Sequence, residues 1–329
     1  MINNIQILRA FAAINVVVYH VILVSEKYGY STSFLSLLSG WGKNGVDIFF
    51  VISGFIIFHT QKIKKKSFFE FLKQRFIRII PIYWFLTLVI IIFYLINPKI
   101  FLSLEVTNKL IFSSFFLISQ ILNDSYPILN VGWTLEYEVF FYLLFSFFLL
   151  FRKINIILFT FTFFFIILFT NEYLFAEFLF GVLLGYFYHK IKSINILISK
   201  ISLIIGCILL FLTINSLELI NLKNNFDRMI FFGIPSTMIL FGLIYIKQFQ
   251  NKFLIFLGDA SYSIYLVHYA ILSLVYKLFY YFNFKFNYDL LAIICLIVSI
   301  LSGCIIYLFI EKKINEFVKK KINFFLLNR

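Results

Sequence analysis

Charge is what this 329-residue sequence has least of: 13% of its residues are Asp, Glu, Lys or Arg, about half the share of a soluble globular domain. With 62% hydrophobic and 22% aromatic residues beside it, that scarcity excludes an ordinary solvated surface and requires an integral membrane protein. Acidic residues are scarcer than basic ones, 15 against 29. Such a surplus can mark a nucleic-acid partner, but here the cations cluster in short loops between apolar runs, as membrane topology dictates, so no nucleic acid is expected. Cysteine is limited to Cys207, Cys295 and Cys304. All three fall in apolar runs without metal-ligand spacing, which leaves no disulfide framework and no metal site and makes them small buried fillers. No Pro- or Ser-rich linker and no fixed-period repeat divides the chain. Met1-Ile2-Asn3-Asn4 lacks the basic region of a signal peptide, and the apolar run after it is interrupted by Arg9 without a clear cleavage site, so it is expected to stay as a first span.

What is there is a series of apolar stretches near 5–24, 45–61, 79–96, 131–151, 154–170, 173–190, 200–217, 229–247, 261–282 and 288–310. Each is long enough to cross about 30 Å of hydrocarbon, giving an all-α polytopic membrane protein of about ten transmembrane helices. Residues 109–122 are shorter and carry Ser113, Ser114, Ser119 and Gln120, which fits one interfacial or re-entrant segment. With the N-terminus cytoplasmic, the inner loops receive twenty basic residues and the outer side eight, counting Lys27, Lys43, Lys99, Lys109, Lys223, Arg228, Lys277 and Lys285. Both termini are therefore expected inside. The organisation read from this is one transmembrane domain over 1–311 and a short basic cytoplasmic tail over 312–329.

Five constellations could carry chemistry. Arg9 and His20 lie eleven steps apart on the first span, which returns them to nearly one helix face about 16 Å apart along the axis. Ionisable groups there are costly and are kept for function or internal pairing. Snorkelling by Arg9 and a helix-to-helix hydrogen bond from His20 would be the structural account; a titratable base in a closed site would be the chemical one. Gly42, Gly45, Asp47 and Ser53-Gly54-Phe55 follow, with Asp47 at the mouth of the second span, where it either caps the turn or orients His20. Arg75 and Arg78, three apart before Pro81, share a helix face suited to phosphates, of a cytoplasmic ligand or of lipid headgroups. In Trp133-Thr134-Leu135-Glu136-Tyr137-Glu138, the two carboxylates point about 200° apart; Glu138 is expected to face a cavity and Glu136 to be exposed. Ser261, Tyr265 and His268 form a polar stripe read as helix-to-helix glue rather than a serine triad.

In order, Arg9 and His20, Gly45-Val46-Asp47 through Ser53-Gly54-Phe55, Arg75 and Arg78 with Pro81, Trp133-Thr134-Leu135 leading to Glu138 and Phe141-Tyr142, and Ser261-Tyr262-Ser263 with Tyr265, Leu266 and His268 resemble the acyltransferase-3 family of polytopic membrane acyltransferases. The resemblance spans most of the chain; Glu136 and Val139 depart from the pattern of many members. It implies a bacterial inner (cytoplasmic) membrane enzyme that moves an acyl group, usually acetyl from acetyl-CoA, to a hydroxyl of an extracytoplasmic or lipid-linked glycan, among membrane lipids and without metal. By that likeness Arg9 and His20 are the catalytic signature, Arg75 and Arg78 match the loop arginines associated with the acyl-CoA donor, and Glu138 matches the family's carboxylate; Asp47 is expected with them at the catalytic site and Ser53 at the donor site. Some relatives carry an appended esterase-like domain; this chain runs about 20 residues past its last span without one, so direct transfer or a separate partner is expected.

The chemistry agrees with that reading. A glycan hydroxyl is too weak an acid to attack a thioester unaided, so His20 would take its proton, with Asp47 or Glu138 holding the ring, Arg9 offsetting negative charge and Arg75 and Arg78 anchoring phosphates. Direct attack and an acyl-enzyme route both remain compatible with these residues. The alternative is a glycan or lipid-carrier transporter or flippase without acyl transfer.

Overall fold

The computed structural model describes residues 2–98, 101, 104–123, 125–151, 155–191, 194–216, 225–282 and 287–327, and among these every regular element is helical. Helix α1 is Asn3–Lys27, α2 Asn44–Lys64 and α3 Phe68–Ile96. The short α4, Asn108–Phe116, and α5, Ser119–Asn123, come next. Then follow α6, Trp133–Phe148, α7, Ile156–Thr170, α8, Leu174–Lys190, and α9, Ile196–Ser216. The short α10, Asn225–Arg228, runs through a π-helical turn, Met229–Gly233, into α11, Ile234–Tyr245. Helix α12 is Lys252–Tyr281; α13, Tyr288–Ile306, passes through a second π turn, Tyr307–Glu311, into α14, Lys312–Leu327.

Among the described residues seven helical stretches are long and apolar enough to cross a membrane, beginning at Asn3, Trp41, Phe68, Ile196, Asn225, Lys252 and Tyr288. The three further crossings expected at 131–151, 154–170 and 173–190 are helices of 16, 15 and 17 residues. They rise only about 22 to 26 Å. The segment at 109–122 is broken into α4 and α5 by Leu117, a non-glycine residue in the left-handed region at φ 56°. Neither piece reaches across a bilayer. The loop charges Arg152, Lys153 and Lys192, their outer counterparts Lys99, Lys223 and Lys285, the tail's Arg329 and the N-terminal Met1 lie outside the described residues. One cysteine departs from expectation: Cys295 and Cys304 are buried, but Cys207 is exposed on α9. The apolar run around it is a face that bilayer, rather than protein, would cover.

Sequence explains how the site-bearing helices are set. Helix α3 starts at a capping box in which the Ser67 backbone N–H donates to Glu70 Oε2 at 3.0 Å and the Glu70 backbone N–H donates to Ser67 Oγ at 3.4 Å. It then runs through Pro81, so Arg75 and Arg78 belong to a long spanning helix rather than a loop. Helices α2 and α8 touch backbone to backbone: a Cβ at Gly54 would overlap the carbonyl of Phe178, and one at Gly181 the carbonyl of Val51. Gly258 allows α12 the same approach to Gln6 on α1. These contacts draw α1, α2, α8 and α12 into one packed group.

Candidate functional site

A cavity of about 70 Å³ opens among α1, α2, α3, α6 and α12. Its wall holds Arg9, Ser53, Arg75, Arg78, Glu138 and Tyr142. Three guanidinium groups thus face one carboxylate, an arrangement suited to an anion. Arg75 is buried and donates through Nη2 to Thr60 Oγ1 at 3.3 Å, its guanidinium lying 5.4 Å from the Phe71 ring centroid and 5.7 Å from that of Tyr142. Those rings limit where the fork can point. Glu138 accepts from Ser53 Oγ at 3.0 Å and from the Tyr142 hydroxyl. Arg9 is also buried, with Nη1 donating to Gln6 Oε1 at 2.8 Å. Between α2 and α3, Lys66 is held below the usual lysine range, first by burial and then by the positive charge of Arg75.

His20 and Asp47 do not line that cavity. His20 is half-buried farther along α1, its Nδ1 3.0 Å from the Val16 carbonyl and 3.1 Å from Nε2 of His268 on α12. The edges of Tyr19 and Tyr269 meet its ring at centroid distances of 4.8 and 5.4 Å. Tyr269 also lines a second, larger cavity of about 1050 Å³ at the other end of α1, walled by residues such as Tyr28, Phe93, Asn130 and Leu274. His20 therefore stands between the two spaces.

Asp47 is fully buried and accepts from Arg228 Nε at 2.8 Å and Nη2 at 3.0 Å, the ion pair closing α2 onto α10. Glu177, also fully buried, adds its field to this group. The hydrogen bonds of Asp47 and Glu138 therefore go to Arg228, Ser53 and Tyr142, while the ring of His20 is met by a second imidazole. Glu136, expected to be exposed, is buried and accepts from the backbone N–H groups of Ser119 at 2.9 Å and Gln120 at 3.0 Å. Its carboxylate satisfies the open donors at the start of α5, which is why it turns inward.

Four buried polar residues gain a place that sequence reasoning did not give them. Arg228 reads as a span-end cation and His268 as glue, while sequence reasoning does not single out Glu177 or Glu311. In the fold, Glu311 is buried within the second π turn and accepts from Ser263 Oγ at 2.5 Å. The usable signal was an ionisable residue inside an apolar segment, but the partners lie 181 residues apart for Asp47 and Arg228 and 248 for His20 and His268. Among the described residues no three His, Cys, Asp or Glu side chains converge as a metal site.

Comparison with known proteins bears on the same segments. The exopolysaccharide production protein ExoZ of Rhizobium meliloti is 36% identical over 108 residues, 32% of this chain and 33% of that protein. The O-acetyltransferase OatA of Staphylococcus aureus is 35% identical over 157 residues, 42% of this chain and 23% of that protein. The chain thus matches no more than a third of the length of these relatives. No solved structure matches it significantly. The family model described as an acyltransferase domain matches residues 2–309, nearly the whole chain, and with the arginine-lined cavity and His20 both inside that range, the chain belongs to the acyltransferase-3 family.

Proposed function

We propose that this protein is a membrane O-acyltransferase that moves an acyl group, acetyl by first choice, from acyl-CoA to a hydroxyl of a cell-surface or lipid-linked glycan, with His20 as the general base. The observation that carries this reading is the convergence of Arg9, Arg75 and Arg78 with Ser53 and Glu138 on one cavity in a chain of this family. Guanidinium groups suit the phosphates of a CoA substrate, and a cavity of about 70 Å³ is smaller than acyl-CoA, so donor entry must widen it. Arg75 and Arg78 start the donor path; His20, about 16 Å beyond Arg9 along α1, ends it. The acceptor reaches His20 from the larger cavity through Tyr269.

In the reaction the acceptor oxygen bonds to the thioester carbonyl carbon as the C–S bond breaks; the hydroxyl proton passes to His20 and then to the departing thiolate. Arg9 offsets negative charge on the donor. Asp47 acts through its ion pair with Arg228, fixing the mouth of α2, and Glu138 holds Ser53. The transmembrane unit is taken as 1–311 with α6, α7 and α8 completing ten crossings, their shortness absorbed by bilayer thinning or polar flanks. Residues 312–329 form the basic cytoplasmic tail, and both termini lie inside the bacterial inner membrane.

The test is ester-linked acetate on the surface polysaccharide of cells expressing the intact protein, His20→Ala at matched membrane levels, or neither. Acetate above background only with the intact protein is expected. Equal acetate with His20→Ala removes the base; equal acetate in all three removes glycan acetylation and favours a carrier.

A further inference from the structure

His268 is absent from the mechanism above, yet the ring of His20 rests on it. His268 is fully buried on α12, with Nδ1 3.2 Å from the Ile264 carbonyl and Nε2 3.1 Å from His20 Nδ1. His20 Nδ1 is in turn 3.0 Å from the Val16 carbonyl. A carbonyl oxygen only accepts, and a neutral imidazole has one N–H and one bare nitrogen. Both carbonyl contacts are therefore satisfied only when each ring carries its proton on Nδ1. His268 then donates to Ile264 and offers a bare Nε2, while His20 shares its Nδ1 proton between the Val16 carbonyl and that nitrogen. The opposite assignment, with the proton on His268 Nε2, sets two lone pairs against two carbonyl oxygens at 3.2 and 3.0 Å. A doubly protonated His268 would put a charge on a ring without exposed surface.

The consequence lies on the other side of the His20 ring. With Nδ1 protonated, His20 Nε2 is the bare, basic nitrogen. Tyr19 and Tyr269 also meet the ring in T-shaped contacts, which restrict its plane. Gly258 allows close packing of α1 and α12, the two helices that carry the imidazoles. We infer that His268 is a positioning residue that holds His20 in the Nδ1–H tautomer and so presents Nε2 as the base toward the acceptor hydroxyl. This rests on the reading of His20 as the base, but the tautomer itself is measurable without turnover.

The chain has four histidines, at 20, 59, 189 and 268, so nitrogen-15 histidine spectra of the full-length protein in bilayers are assignable by single substitutions. Wild-type His20 is expected with Nδ1 protonated and Nε2 bare. His268→Leu should leave His20 in mixed tautomers, and His268→Gln, whose amide oxygen is an acceptor, should restore the single form. Polysaccharide acetylation should fall roughly 10- to 100-fold in His268→Leu and recover in His268→Gln, as for other residues that orient a reactive ligand. A wild-type His20 protonated on Nε2, or a His20 signal unchanged in His268→Leu, overturns the inference. So does equal loss of acetylation in the Leu and Gln variants at matched folded levels, which would make His268 packing alone. Retained acetylation in His20→Ala instead removes the general base while leaving the tautomer result intact.

Discussion

Asp47 and Arg228 illustrate how one residue pair divides structure from chemistry. Both are buried, joined by two hydrogen bonds, and the guanidinium lies 6.0 Å from the Trp133 ring centroid. Breaking such a pair strands a charge, a cost of about 3–5 kcal/mol, whereas replacing both partners by apolar groups is often neutral. Asp47→Ala is therefore expected to lower the thermal unfolding midpoint of detergent-solubilised protein strongly, and the double change Asp47→Leu with Arg228→Leu to recover most of it. Equal loss in single and double variants would mean that the carboxylate does more than balance the arginine. Sequence made Asp47 legible, because a carboxylate at the mouth of a span needs a partner, but the partner in the fold is Arg228, which neither the turn cap nor the His20 reading offered. Nothing local ties residue 47 to residue 228. Arg9 and Glu138 stand out in sequence as ionisable residues in apolar runs, Arg75 and Arg78 by their spacing of three after a run of lysines, and Ser53 within Ser53-Gly54-Phe55; the fold brings those five to one wall.

Elements meet here through missing side chains. Gly54 lies next to Ser53, and the backbone contact it permits with Phe178 holds α2 where Ser53 reaches Glu138 at 3.0 Å. Gly54→Ala forces a methyl into a carbonyl that cannot swing aside. Overpacking of this kind costs about 1–3 kcal/mol. A lower unfolding midpoint is expected in Gly54→Ala, together with lower acetylation; an unchanged midpoint would show that α2 and α8 can part freely. Hydrophobic periodicity located most of the long helices, since burial of apolar faces is a local pattern, but it placed the start of α12 nine residues late, at 261 instead of Lys252. It missed that α3 begins before the arginines, because the capping box at Ser67 and Glu70 sits inside a run of lysines that reads as loop. It also missed both π turns, which alter the helical register without a distinctive residue.

At the scale of the whole molecule, the proposed orientation rests on the distribution of cations, because insertion reads charge flanking each span rather than tertiary packing. Cavities were not legible: their walls come from helices far apart in the chain. The orientation is tested by labelling. With the three native cysteines replaced, Ser39→Cys, before α2, should react with an impermeant maleimide on intact cells, and Lys64→Cys, at its far end, only after permeabilisation. Labelling of both from one side would refute a crossing by α2 and the topology built on it.

The two cavities share no wall residue, although they sit toward opposite ends of α1. Between them stand His20, His268 and Tyr269 in ring-to-ring contact. A bilayer under voltage exerts about 2.3 kcal/mol on each elementary charge per 100 mV, so a continuous aqueous thread from one opening to the other would be a leak for ions and protons. On the proposed reading, an aromatic partition at this place would keep the resting protein an electrical insulator. A catalyst that serves two compartments through this fold must pass a group between them while keeping the wire cut.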